Sequence, residues 1–351
     1  MSLFKQRLAQ LESEIDPTAI PEPGNSFHQR MQEALDDSMA ACRAFEEAHA
    51  DSPDVIAEVQ QAFRDATEPW LKHSWFANRA WTKPSGFSGD YLMLLKLYER
   101  STPARGLGAY IDLCLSDLQL SNAVRARMTL ARDFLVKEIE SREGDVRILD
   151  MACGPCREFE NWPEFKGRRI EVIAMDNDPA ALEYVGSTVA PQLPPSTTLQ
   201  PVRYNALRTR NAEATKKNFG SFDIIYSVGL CDYLTDEHLI GIFSGLGETL
   251  NEGGKLVIAF KDMEQYDKTP YQWHLDWFFY QRTVDDVLDV YEQSGFVTEK
   301  MVLTRDTTGI ITNFESRRAP DTIRRIDPAQ LPKGTRSRRT AGRASRTEQP
   351  K

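Results

Sequence analysis

A chain of 351 residues with a formal net charge of −9 has room for two domains with sizeable cores, and it lacks the basic surplus of a general nucleic-acid binder. No apolar run reaches membrane-spanning length and the first residues lack the compact apolar centre of a secretory signal, so no membrane span is expected. Five cysteines without a regular framework fit a reducing cytoplasm, the expected location.

Residues 1–25 begin with a polar, helix-like stretch and break at Pro17, Pro21 and Pro23-Gly24. Phe27, Met31, Leu35, Met39, Cys42 and Phe45 then recur at helical spacing, and Val55, Ile56, Val59 and Phe63 carry the pattern past Pro53. Residues 70–81 are rich in aromatics and fit a helix. A long helix capped by Ser121 presents Val124, Met128, Leu135 and Ile139. Residues 26–143 therefore read as an all-helical domain. Interrupting it is Lys83-Pro84-Ser85-Gly86-Phe87-Ser88-Gly89-Asp90-Tyr91, just ahead of a predicted helix over residues 92–99. A plain linker between helices is one reading. The other is a lid whose glycines let it lie over a ligand, with Asp90 and Tyr91 facing the site.

Val146-Arg147-Ile148-Leu149-Asp150 is a run of β-formers ending on a carboxylate, and Met151-Ala152-Cys153-Gly154-Pro155-Cys156 follows as a turn of small residues. Residues 157–162 read as the first turns of a helix. Strand, small-residue turn and helix make a nucleotide cradle, where backbone approaches the ligand and a helix N-terminus offers free N–H groups. Three readings of this turn compete. A dinucleotide G-x-G-x-x-G would fall on Ala152, Gly154 and Arg157, and Arg157 is too large for the close helix–strand contact. Cys153-Gly154-Pro155-Cys156 spells a thioredoxin-type redox dithiol, but nothing else supplies that module's strand order. The third is the G-x-G-x-G turn of S-adenosylmethionine (SAM) methyltransferases, with Ala152 and Cys156 standing in for two glycines.

The downstream chain separates these readings. Ile170-Glu171-Val172-Ile173-Ala174-Met175-Asp176 is a second strand whose terminal carboxylate can accept from both hydroxyls of a ribose, and Asn177, Asp178 and Pro179 open a helix after it. As a bland alternative, Asp176 is a helix N-cap. A third apolar segment, residues 199–204, ends in Asn205-Ala206. A fourth, residues 222–230, includes Ser227 and Gly229 and runs into Cys231-Asp232-Tyr233-Leu234. A helix over residues 239–250 stops at Asn251-Glu252-Gly253-Gly254, and residues 255–260 form a fifth strand. In this order and spacing, residues 145–316 resemble the class I SAM-dependent methyltransferases. The resemblance implies a Rossmann-like α/β sheet, mostly parallel, with an antiparallel edge hairpin built from residues 296–303 and 310–316. It implies SAM as cofactor, held by Asp150, Ala152, Cys153, Gly154, Asp176, Asn177, Asn205, Ala206, Ser227 and Gly229, with Asp90 and Tyr91 closing from the helical side. No metal is called for.

The phrases Ser85-Gly86-Phe87-Ser88-Gly89-Asp90-Tyr91, Ser227-Val228-Gly229-Leu230-Cys231-Asp232-Tyr233-Leu234 and Leu275-Asp276-Trp277-Phe278-Phe279-Tyr280-Gln281-Arg282-Thr283 are similar to one bacterial family. It is the family of methyl ester synthases for 3-hydroxypalmitic acid, a quorum-signal lipid, and the likeness spans residues 80–316. A small-molecule or lipid-like acceptor is what it implies.

Residues 262–282 leave the end of the fifth strand, where acceptors sit in this architecture. Tyr266, Tyr271, Trp273, His274, Trp277, Phe278, Phe279 and Tyr280 make this the most aromatic part of the chain, and Trp273, Trp277 and Tyr280 would line one face of a helix. Thr283 caps a further helix over residues 284–294. The expected organisation is a segment over 1–25, a helical lid and substrate domain over 26–143, a SAM-binding domain over 144–316, and a basic tail over 317–351 too poor in apolar residues to fold.

Methyl transfer from a sulfonium asks the protein mainly for positioning and desolvation. A carboxylate acceptor is ionised at neutral pH, while a phenol or alcohol needs a base. His274 is the candidate base, since only it and the surface-like His238 lie in the catalytic half. Tyr233, Tyr280 and Arg282 are candidates to orient an acceptor. Two other classes stay open: a SAM-binding regulator without turnover, and a redox protein using Cys153 and Cys156. Oligomeric state is not legible.

Overall fold

The computed structural model describes residues 1–318. The basic tail expected from residue 317 onward lies almost wholly outside the described residues.

The strands are β1 (Val146–Met151), β2 (Ile170–Asp176), β3 (Thr197–Arg203), β4 (Phe222–Ser227), β5 (Leu250–Lys261), β6 (Val302–Arg305) and β7 (Ile311–Arg317). They form one sheet in the order β3-β2-β1-β4-β5-β7-β6. The first five run parallel, and β7 lies antiparallel to both β5 and β6. This is the mostly parallel sheet with an antiparallel edge hairpin that the sequence predicts. Its central strands are covered on both faces, which is why β1 reads as an almost continuous apolar run: Ile148, Leu149 and Met151 are all buried. Strand order reverses at β1, which pairs with β2 on one side and β4 on the other. The carboxyl ends of β1 and β4 therefore open a crevice between diverging crossovers. The crossovers carry α8 (Pro179–Tyr184), α9 (Ala212–Phe219), α10 (Asp236–Thr249) and α11 (Val284–Gln293). Thr283 caps α11 in a full capping box with Asp286, as its sequence predicts. The hairpin is shorter than predicted on its outer strand, because Phe296 turns inward and its ring occupies the space a Cβ on Gly247 would fill.

Seven helices precede the sheet: α1 (Ser2–Glu14), α2 (Ser26–Ala48), α3 (Pro53–Leu71), α4 (Trp75–Thr82), α5 (Tyr91–Tyr98), α6 (Gly106–Ser116) and α7 (Gln119–Glu140). α1 joins their core through Phe4, Leu8 and Leu11, each of the buried leucines worth roughly 1.5–3 kcal/mol. α7 starts before Ser121, and the Ser121 hydroxyl donates back to the Leu115 carbonyl at 2.8 Å rather than capping the helix.

The aromatic segment after β5 departs from its predicted helix. It makes one wide turn, Pro270–His274, and Asp276 then adopts φ +49°, which ends any helical continuation. Trp273 is buried, Trp277 half-buried and Tyr280 45 % exposed, so the three share no face. Tyr271, Trp273 and Leu275 instead complete the core of the helical region. Trp273 Nε1 donates to Glu46 at 2.8 Å, and the Tyr271 hydroxyl accepts from the Leu120 N–H at 2.7 Å.

Candidate functional site

The turn after β1 alternates left-handed residues: Ala152 at φ +61°, Gly154 at +54° and Cys156 at +49°. A side-chain-bearing residue in that region costs roughly 1–2 kcal/mol, so Ala152 and Cys156 hold a glycine-like path that the surroundings enforce. The surroundings are the end of β2. Cys153 N–H donates to the Met175 carbonyl at 3.0 Å, and Gly154 N–H donates to Asp176 Oδ2 at 2.9 Å. The other Asp176 oxygen accepts from Asp178 N–H at 2.9 Å. Burial raises the Asp176 pKa against the lowering pull of these backbone donors.

The helix predicted after this turn is absent. Arg157–Phe159 makes a single tight turn, and Phe159, Trp162 and Phe165 then pack side by side beneath the sheet, with ring centroids 4.8 and 5.7 Å apart. Pro163 forbids a longer helix here, and the upstream α7 packs against this turn. The cradle therefore offers the Asp176 carboxylate beside a turn whose Cys153, Gly154 and Cys156 N–H groups are already engaged, without a helix N-terminus.

Under the turn lies a buried acidic cluster. Cys156 Sγ–H donates to Asp150 Oδ2 at 3.5 Å, and the Tyr226 hydroxyl donates to Glu158 Oε1 at 2.6 Å. Burial pushes the pKa values of both Asp150 and Glu158 up. A hydrogen bond with Cys156 lowers the Cys153 thiol, but burial and nearby carboxylates outweigh it and carry it to about 11. Burial drives Cys156 well above the ordinary thiol range. Both sulfurs are thus protonated at neutral pH, the opposite of what a redox dithiol needs.

The remaining predicted cofactor residues lie around the strand ends. Asn177 is exposed beside Asp176, and Asn205 is exposed with its Oδ1 accepting from Leu207 N–H at 2.9 Å, ahead of Ala206. Ser227 is fully buried, with no partner for its hydroxyl, and Gly229 follows it. Tyr91 sits 6.0 Å from the Tyr184 ring. Leu94 of α5 reaches to 3.7 Å from where a Cβ on Gly154 would stand, so the helical region closes directly over the turn. Asp90 is engaged elsewhere: it is fully buried, paired with Arg79 at 2.7 Å, and caps α5 by accepting from Met93 N–H.

Of the four candidate catalytic residues, the structure brings Tyr233 to the crevice. Its hydroxyl accepts from Trp277 Nε1 at 2.7 Å and its ring lies 5.3 Å from Phe279. A Cβ on Gly89 would stand 2.6 Å from Trp277 Cζ2 and 2.8 Å from the Tyr233 hydroxyl, so the glycine-rich segment presses onto this aromatic pair. Tyr280 faces solvent under the Arg282 guanidinium, 5.2 Å from its ring. Arg282 itself binds Asp236 at 2.7 Å and the Leu234 carbonyl at 2.6 Å, tying down the loop after β4. His274 lies in the helical core, against Phe4 and Phe63, with Nε2 3.1 Å from Ser38 Oγ, and burial holds its pKa down at about 4.

No protein-family model matches the chain, and neither does any curated protein. Among solved structures it is similar to a possible exported protein from Bordetella parapertussis, at 17% identity and a TM-score of 0.49, over 75% of this chain and 96% of that one. It is also similar to an S-adenosylmethionine dependent methyltransferase from Mesorhizobium loti, at 18% identity and a TM-score of 0.39, over 54% and 100%. A third is magnesium protoporphyrin IX methyltransferase from Synechocystis PCC 6803 with bound SAM, at 10% and 0.40, over 57% and 83%. Likenesses this distant identify no acceptor. The strand order and antiparallel edge seen in this chain are themselves those of the class I methyltransferase fold.

Three residues that sequence reasoning passed over stand at the crevice. Lys261, the last residue of β5, forms a buried ion pair with Asp232, and its Nζ lies 4.1 Å from the Phe279 ring centre. The third is Arg127 of α7, almost wholly buried beside Gly229. Its signal was available: Val124, Arg127, Ala131 and Leu135 follow helical spacing, so a charge interrupts the buried stripe.

Proposed function

We propose that this protein transfers the methyl group of SAM to an oxygen of a small or lipid-like acceptor, with a carboxylate as the favoured oxygen. The observation that carries the cofactor half is Asp176: a half-buried carboxylate at the end of β2, fixed against the left-handed turn after β1, at the switch point of the sheet. The residues fit the group. Asp176 would hold the ribose, the turn over 152–156 would lie along the amino-acid portion, and Asn205 and Ala206 would flank the base. Bound SAM supplies an electrophilic methyl on a good leaving group. What the chain supplies is position and dryness: Leu94, Gly89, Trp277 and Tyr233 close the crevice from above.

The acceptor half follows from the absence of a base among the proposed catalytic residues. His274 is folded into another core and is neutral, and burial keeps the Tyr233 hydroxyl protonated. A carboxylate needs no deprotonation, and the aromatic lining suits an apolar tail. The resemblance of residues 80–316 to methyl ester synthases for 3-hydroxypalmitic acid supports the same choice. Transfer of radiolabelled methyl from SAM to fatty acids, phenols and amines tests it. Labelled ester from acids alone supports the reading, and SAM binding without transfer to any class supports a regulator instead. A protein that binds no SAM sinks it.

A further inference from the structure

A guanidinium as deep as that of Arg127, 4 % exposed, ordinarily meets a carboxylate, because an unpaired buried charge is costly. Other buried cations among the described residues obey that rule: Lys261 pairs with Asp232, and Arg282 with Asp236. Arg127 forms no ion pair among the described residues, and its Nε has no hydrogen-bond partner.

Its position is as telling as its lack of an ion pair. The Tyr98 hydroxyl, at the end of α5, lies beside it. A Cβ on Gly229 would stand 3.1 Å from Nη2 and 3.6 Å from both Cζ and Nη1, so the guanidinium packs directly against the backbone after β4. Glu158, Tyr233 and Lys261 all lie within its electrostatic reach. Those residues follow or end β1, β4 and β5, so the charge stands over the crevice at the switch point. Lys261 offers no second free cation there, being matched by Asp232.

Resting on the methyltransferase reading above, we propose that Arg127 is the seat of a carboxylate, supplied by the amino-acid end of the cofactor or by the acid group of the acceptor. A planar fork of donors suits a carboxylate bidentately, and a lysine does not reproduce it. Arg127 would thus position a bound anion without taking part in the methyl displacement.

The test uses the full chain, Arg127→Met and Arg127→Lys, with calorimetry on four compounds. S-adenosylhomocysteine keeps the amino-acid end and 5′-methylthioadenosine lacks it; decanoate carries an acid group and decanol does not. If the cofactor carboxylate sits on Arg127, both variants lose at least about tenfold in affinity for S-adenosylhomocysteine and bind methylthioadenosine as the parent does. If the acceptor carboxylate sits there, S-adenosylhomocysteine is unaffected and decanoate alone weakens. Arg127→Met should also melt no lower than the ligand-free parent, since it removes an unmatched buried charge; a structural arginine would do the reverse. Should Arg127→Met not fold, Arg127→Lys decides by the same selective loss. Variants that bind all four compounds like the parent overturn the assignment, as does a parent that binds neither carboxylate. A parent that binds decanoate but no adenosyl compound sinks the methyltransferase reading, and decanoate against decanol then decides Arg127 on its own.

Discussion

Replacing His274 by phenylalanine is expected to flatten the acid side of the stability curve. The imidazole is 1 % exposed, and its pKa is held at about 4 against an ordinary 6.5. The unfolded chain therefore takes up a proton that the folded chain refuses. This contribution to stability is whole above 6.5 and is lost as pH falls from there towards 4. At pH 5 the loss amounts to about 2 kcal/mol. His274→Phe removes the titration while keeping a ring for the edge contacts at 5.9 Å from Phe4 and 4.9 Å from Phe63. Any fixed cost of the substitution, including the bond lost to Ser38, appears at both pH values and cancels. Asp112, whose burial raises it to about 6, works in the opposite sense over an overlapping range, and it too is common to both proteins. Urea unfolding at pH 7.5 and pH 5 gives the four free energies. Parent and variant losing stability in parallel would mean that the imidazole titrates freely, and its place in the helical core would be wrong. Loss of methyl transfer in a stably folded variant would return His274 to the list of bases.

Asp176→Ala should weaken SAM binding at least about tenfold by calorimetry, since it strips one or two charge-assisted hydrogen bonds, with the melting temperature little changed. Cys153 and Cys156 should resist iodoacetamide at pH 7.5 in the folded protein, and Cys156→Ala should keep SAM binding; rapid alkylation together with insulin-disulfide reduction would revive the redox reading. Gly89→Ala places a methyl inside contact distance of Trp277 and Tyr233, so hydrogen exchange over residues 83–91 should quicken and turnover should fall, while the sheet amides stay protected. Cofactor should slow exchange in that segment in the parent. Unchanged exchange in both comparisons makes it a linker.

The sheet was legible because each strand carries its own punctuation: an apolar run ending on Asp150, on Asp176, or against a glycine. Those signals are local, and so is the cap at Thr283. What failed were inferences from spacing alone where tertiary contacts decide. Trp273, Trp277 and Tyr280 mimic a helical face, yet Trp273 has a better burial site among α2 and α3 than any helix after β5 could give it. Residues 157–162 look like a helix start, but Phe159, Trp162 and Phe165 gain more by lying flat under the sheet. His274 illustrates the same limit. Sequence proximity placed it with the catalytic half, whereas the fold carries it to Ser38, 236 positions away. Arg127 was missed for the converse reason, its apolar neighbours having been read as an ordinary buried stripe.

The threading of residues 270–275 through the helical core bears on how this molecule can be taken apart. A fragment cut near residue 143 would leave α1–α7 without Tyr271, Trp273 and Leu275, and would leave those side chains, with the unsatisfied Tyr271 hydroxyl and Trp273 indole, exposed on the sheet fragment. Neither piece is then a self-sufficient folding unit. The helical portion is not a cap that can be exchanged for another by cutting at one junction: a chimera must carry the loop after β5 along with it. Crevice lining and helical scaffold are in this sense inherited together, since the same loop supplies Trp277 and Phe279 at the crevice and Trp273 in the core.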